Sequence, residues 1–166
     1  MSYNEVELYG RKIRVYSDNH IEMEYRGKSG AWKVKPILSR DPYLCINFMV
    51  NNKTHNILLH RLIFYSHNQS WDILDISRDN VIDHKNGDPT DNRIENLQSV
   101  THQENEFNKK STKGYSWNKA RQKWKTTIGV NKVHIHLGYF TKESDARDAY
   151  LEAKSKYHII EERVFD

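Results

Sequence analysis

The sequence predicts an α+β fold: an N-terminal β-rich region leads into a ββα core, and a small three-stranded sheet with one helix follows. Three observations predict it. Residues 1–59 hold short runs rich in β-branched and aromatic residues. From Val81 onward, two short strands flank a strong turn signal and run into a capped helix. Beyond Gly114, strand-like alternation gives way to small apolar residues at helical spacing.

In the first region KIRVYS, HIEMEY, AWKVKPIL, YLCINFMV and HNILL are the expected strands. Arg26-Gly27-Lys28-Ser29-Gly30 is a turn cluster, and Asn51-Asn52-Lys53 is a hairpin tip. Cys45, within YLCINFMV, reads as a small core residue. As the single cysteine it excludes an internal disulfide and a zinc ribbon of paired cysteines. His60 to His67 is expected to form a short helix, with Leu62, Ile63 and Tyr65 inward, and Asn68 to Asn80 a polar loop.

Val81 to His84 is the first strand of the ββα unit, and Lys85-Asn86-Gly87-Asp88-Pro89 is its turn. Asp91 or Asn92 is expected to cap a short helix holding Ile94 and Leu97, before a second strand near Gln98 to Val100. Thr101 caps the next helix, and Glu104 three residues on completes a capping box. The basic linker Asn108 to Gly114 suggests a division into residues 1–108 and 109–166. The expected strands of the second part are Tyr115 to Asn118, Lys123 to Val130 and Val133 to Phe140. Thr141 is the expected cap of a final helix with Ala146, Ala149, Tyr150 and Ala153 on one face.

Hydrophobic residues make up 37% of the chain, so small cores with much aromatic packing are expected. The net charge is +4 and the pI near 9.0, and the distribution says more than the total. Asp and Glu are missing from Phe107 to Lys142, where Lys109, Lys110, Lys113, Lys119, Arg121, Lys123, Lys125, Lys132 and Lys142 fall. Asp72, Asp75, Asp79, Asp83, Asp88 and Asp91 cluster earlier. A basic stretch of this kind suits a polyanion, or is simply a solvated face. No apolar run approaches the ~20 residues that span a bilayer, and MSYNEVELYGRK lacks a signal-peptide apolar region. A soluble, intracellular, cytoplasmic protein without membrane association is expected.

Asp83 stands beside His84, with Asn96 and Asn105 downstream. A carboxylate and amide oxygens suit a hard divalent cation that keeps waters in its shell. An imidazole can take a proton near neutral pH, given a neighbour that fixes its tautomer. Strand geometry sends adjacent side chains to opposite faces, a tension that eases if the pair sits at a strand end where Asn86-Gly87 bends the chain.

The segment IDHKNGDPTDNRIENLQSVTHQEN resembles the homing-endonuclease branch of the HNH family. The resemblance implies that His84 is the general base and that Asn96 orients it. Asp83 and Asn105 would then hold one divalent cation, Mg²⁺ or Mn²⁺. His102 is a rival ligand or a phosphate contact; Arg93 is a phosphate contact or a surface charge. His60-Arg61 matches a pair often seen upstream in that family and reads as structural, with DNA backbone contact the alternative.

Residues 113–157 resemble the DNA-binding domain of plant Apetala/ethylene-response factors, through Lys113-Gly114, Lys123-Trp124, Ile128, His136-Leu137-Gly138-Tyr139-Phe140 and the Ala146-to-Ala153 helix. That resemblance implies a sheet laid in the major groove of double-stranded DNA. Lys123, Lys125 and Thr127 share one face, Trp124, Thr126 and Ile128 the other. His134 and His136 are placed with the lysines, and Tyr115, Trp117, Lys119, Arg121 and Lys132, with the linker residues Lys109, Lys110 and Lys113, complete the expected interface. Ser116 and Gly129 stand where plant members carry base-reading arginines, so their sequence preference does not transfer.

Together these readings imply a metal-dependent DNA endonuclease of phage or bacterial-host type. With one active site per chain, a monomer that nicks is the default expectation, and double-strand cutting needs dimerisation or two sequential events. The alternative is a DNA-binding regulator that keeps the scaffold without turnover.

Overall fold

The computed structural model describes residues 2–25, 27, 30–109 and 112–165. The turn residues Arg26, Lys28 and Ser29 and the linker residues Lys110 and Ser111 lie outside the described residues. The fold is α+β, in two compact units, Met1–Ser99 with Glu162–Asp166, and Val100–Glu161.

The first unit opens with a four-stranded antiparallel meander, β1 (Tyr3–Leu8), β2 (Arg11–Tyr16), β3 (Ile21–Glu24) and β4 (Trp32–Val34). Strand alternation turns Val6, Leu8, Ile13, Val15, Ile21 and Met23 into the core, and the register sets Val6 against Ile13 and Ile13 against Met23. On the outer face the Arg14 guanidinium lies 4.5 Å from the Tyr3 ring centre and 3.7 Å from that of Trp32. A second sheet, β5 (Leu38–Arg40), β6 (Tyr43–Val50) and β7 (Lys53–Leu58), adds Ile46, Phe48 and Val50 to the same core. Asn51 and Asn52 form the expected tip, with φ of 49° and 60°. Both lie in the left-handed region that a type I′ hairpin requires and that asparagine tolerates.

Helix α1 (Leu59–His67) buries Leu59, Leu62, Ile63 and Phe64 against these sheets, while Tyr65 is only half-buried. Arg61 holds the following loop: its guanidinium donates to the carbonyls of Ile73, Asp75 and Asn80 at 2.7–3.0 Å and lies over Trp71. Next come β8 (Val81–His84), a 3₁₀ turn (Ile94–Asn96) and β9 (Leu97–Val100), which pairs with β8. Cys45 is buried with a free thiol.

The second unit contains α2 (His102–Asn108), capped by the Thr101–Glu104 box as expected. The sheet β10 (Tyr115–Asn118), β11 (Lys123–Val130) and β12 (Val133–Phe140) follows with the bounds the sequence suggested, then α3 (Glu143–Tyr157). Ile128, Tyr150 and Ala153 form its core with Tyr115, Ile135 and Leu137 around them. Gly114 is required there: a Cβ would lie 2.0 Å from ring carbons of Tyr150 and 2.8 Å from the Thr127 carbonyl oxygen.

Some expectations are corrected. β1 lies outside the strands expected from the sequence. AWKVKPIL is two strands, because Pro36 has no N–H to offer a ladder. Neither Asp91 nor Asn92 caps the 3₁₀ turn, whose N-cap is Arg93, and Lys142 rather than Thr141 caps α3; neither cap makes a side-chain bond.

Candidate active site and nucleic-acid face

Asp83 and His84 end β8. The chain turns at once: the Gly87 N–H donates to the His84 carbonyl at 2.8 Å, with Gly87 at φ +75°. Strand alternation gives the two side chains different surroundings. Asp83, 9% exposed, accepts from the Gln98 amide of β9 at 3.0 Å. His84, 5% exposed, meets His60 edge-on with ring centres 5.1 Å apart and stacks towards Tyr43 at 6.3 Å.

The His84 Nε2 lies 3.0 Å from Asn92 Oδ1, within the buried site. Asn96 does not make this contact. Its Oδ1 accepts from the Asn86 N–H, and its Nδ2 donates to the Asp91 carbonyl and to Asn86 Oδ1. The direct orientation of His84 expected from Asn96 is thus corrected: Asn96 ties down the loop, and Asn92 touches the ring. The only signal for Asn92 in the sequence was its polarity next to a turn, which reads equally as a helix cap.

His60 is buried, and burial, then the neighbouring His84 and Arg61, pushes its pKa down to about 3. A neutral imidazole therefore backs His84. Arg61 is engaged by loop carbonyls, which supports the structural reading of that pair. The Arg93 fork is closed on Asp91 at 2.7 and 2.8 Å, which holds that carboxyl at about 2. This contact ties the Arg93 side chain to the turn.

Asn105 and His102 belong to the second unit, on α2. His102 is exposed, 3.8 Å from Glu106, and Asn105 is half-buried. Among the described residues no group of three or more His, Cys, Asp or Glu gathers as a metal cage. Asp83 alone is a donor of the kind a hard cation takes, with waters and phosphate oxygens able to complete such a shell.

Residues 58–107 match the family model for HNH endonuclease. The matched HNH segment runs from the end of β7 to α2 and contains Asp83, His84, Asn92, Asn96 and Asn105. It supports a nuclease of the HNH family, which implies a DNA substrate and generally a divalent metal. No curated protein matches the chain, and no solved structure does. Among the described residues no helix is long and apolar enough to cross a membrane.

The three-stranded sheet has two unlike faces. Trp124, Thr126 and Ile128 face α3, where the Thr126 hydroxyl donates to the Ala146 carbonyl. Cross-strand partners share a face, so Tyr115 opposite Thr126 and Trp117 opposite Trp124 also lie on the helix side. The register thus sets both on the strand face opposite to Lys123 and Lys125. The open face carries Lys123, Lys125 and Thr127, with Tyr139 opposite Lys125, His136 opposite Thr127 and His134 opposite Gly129. A bulge at Thr126/Thr127 is what brings Tyr139 onto this face, where Arg121 lies 4.7 Å over its ring. Lys113, Lys119 and Lys132 are exposed nearby in sequence, and Lys109 pairs with Glu106 at 2.6 Å. Lys110 lies outside the described residues.

Proposed function

We propose that this chain is a site-preferring DNA endonuclease of the homing type, which hydrolyses phosphodiester bonds with His84 as general base. The observation that carries the reading is the buried His84, held through Nε2 and set beside Asp83 at the end of β8 within the HNH segment. His84 takes the proton of the attacking water as its oxygen bonds to phosphorus and the bond to the leaving sugar oxygen breaks. Asp83 is the carboxylate ligand of one divalent cation, Mg²⁺ or Mn²⁺, and Asn105 is the amide ligand that the family resemblance adds. When bound, that ion supplies charge stabilisation at phosphorus and at the leaving oxygen.

The open face of the C-terminal sheet grips duplex DNA. Lys123 and Lys125 meet phosphates, while Thr127, His134, His136 and the Arg121–Tyr139 pair offer groups to base edges. The sheet lacks any acidic side chain, so it gathers positive charge where a β element fits the major groove.

Plasmid nicking tests the proposal, with Mg²⁺, Mn²⁺ or EDTA and with wild type against His84→Ala. Metal-dependent nicking that His84→Ala abolishes, with DNA binding retained, is expected. If both proteins bind DNA and neither nicks it under any metal, the chain is a DNA-binding protein without turnover.

A further inference from the structure

The core face of the N-terminal meander does not end at its apolar residues. Lys33 of β4 pairs with the buried Met23 of β3, and cross-strand partners share a face. Lys35, two residues on, keeps to that side, and its N–H donates to the Ile21 carbonyl at 2.8 Å. Arg11 opens the same face of β2, two residues ahead of the buried Ile13. Its guanidinium donates to the Glu24 carbonyl at 2.8 Å and to the Met49 carbonyl at 3.5 Å, which joins β3 to β6. The three cations line a cleft of about 240 Å³ with the buried Met23 and Phe48 at its base.

This cleft combines two chemistries. Its base is apolar, and Tyr25 and Met49, 43% and 60% exposed, extend that surface outward. The Lys33 ammonium lies 3.8 Å from the Tyr25 ring centre. Among the described residues that line the cleft, Glu24 is the acidic one. Its register opposite Trp32 turns its side chain to the outer face of the sheet, where Arg14 lies over the indole. Positive charge thus collects over an apolar floor. Two of the five guanidinium N–H groups of Arg11 go to carbonyls, and the others suit an anion.

A ligand that satisfies both chemistries has a flat, weakly polar body and an anionic group at one end. A nucleotide unit has this form. Its base covers Met23 and Phe48 beside the Tyr25 ring, and its phosphate takes charge-assisted bonds from Lys33, Lys35 and Arg11. A small inorganic anion would leave the floor uncovered.

We propose that this cleft binds one nucleotide unit, supplied by a DNA strand or by a free nucleotide. All the residues that line it precede the segment matched to the HNH model, so the site is separate from Asp83 and His84.

Methyl ¹H–¹³C spectra of the chain labelled at methionine test it, in EDTA so that no metal-dependent cleavage intervenes. Met23 and Met49 are assigned by loss in Met23→Leu and Met49→Leu. The probes are dAMP, a short single-stranded deoxyadenosine oligonucleotide and inorganic phosphate. Saturable upfield movement of both methyl signals is expected with a nucleotide probe, from the ring current of the base, and not with phosphate. Lys33→Gln with Lys35→Gln is expected to weaken that binding by about 10–100-fold and to leave the signals of the free chain in place. If the double variant displaces the free-chain signals, Lys35→Gln alone takes its place, with a loss of about 10-fold expected. Tighter binding of the oligonucleotide than of dAMP assigns a strand as the source; equal or weaker binding assigns a free nucleotide. The proposal is overturned if neither nucleotide probe moves both methyl signals, if phosphate moves them equally, or if the lysine variant binds as wild type does. Absence of nicking by wild type would remove the nuclease reading and leave this site standing.

Discussion

The ring of His60 stands edge-on to that of His84, their centres 5.1 Å apart, and the Tyr43 ring lies 5.1 Å from His60. His60 is held neutral by burial first, then by His84 and Arg61, with its pKa near 3. In the unfolded chain an imidazole titrates near ~6.5. The unfolded state therefore binds the extra proton between those values. The contribution of His60 to stability is fully present above about pH 6.5 and is lost as the pH falls towards 3. The slope reaches about 1.4 kcal/mol per pH unit at most. Urea unfolding across this range is expected to show a shallower acid loss for His60→Phe than for wild type. Parallel curves would show that His60 is already charged in the fold.

Removing the proposed general base has a separate signature. His84→Ala is expected to lower single-turnover nicking by about 10²–10⁴-fold. Filter binding or anisotropy with duplex DNA should give an unchanged affinity. A variant that lost binding and cleavage together would instead place His84 in DNA contact.

Lys123→Ala with Lys125→Ala removes charge from the open face of β11 without touching the α3 side. Affinity should fall for all sequences alike. The slope of log K against log salt should lessen by about 0.9 for each phosphate that a lysine no longer neutralises. An unaltered slope would move the DNA face elsewhere.

Gly114→Ala drives a methyl group into the buried Tyr150 ring and towards the Thr127 carbonyl. Overpacking of this kind typically destabilises by about 1–3 kcal/mol. Thermal unfolding of the whole chain should show a lowered transition. A smaller residue at 150, as in Tyr150→Leu, should relieve part of the clash when combined with Gly114→Ala.

Much of this architecture was legible because it rests on local rules. The Asn51-Asn52 tip, the Thr101–Glu104 box and the strands from Tyr115 to Phe140 each follow from short-range chemistry. β1 is hard to read because YNEVEL alternates weakly and only Val6 and Leu8 are buried. The face of Tyr115 and Trp117 depends on how the Asn118-to-Lys123 connection sets register, and a slip of one residue reverses every side chain. Asn92 was illegible for a different reason: its partner depends on where a loop returns in space, which residue type alone does not encode. Asp83 and His84, by contrast, could be placed at a strand end because Asn86-Gly87 announces the turn.

The Phe107 ring lies flat on that of His158, with centres 3.9 Å apart and planes within 9°, and Gln103 reaches Asn131 at 3.3 Å. These bonds make α2 part of the folded body that holds the three-stranded sheet. Grafting this sheet onto another protein, by recombination in nature or by fusion at the bench, therefore succeeds best with a seam ahead of Val100. A seam in the basic stretch after Asn108 would strand a bare Phe107 on one product and uncover the His158 ring on the other.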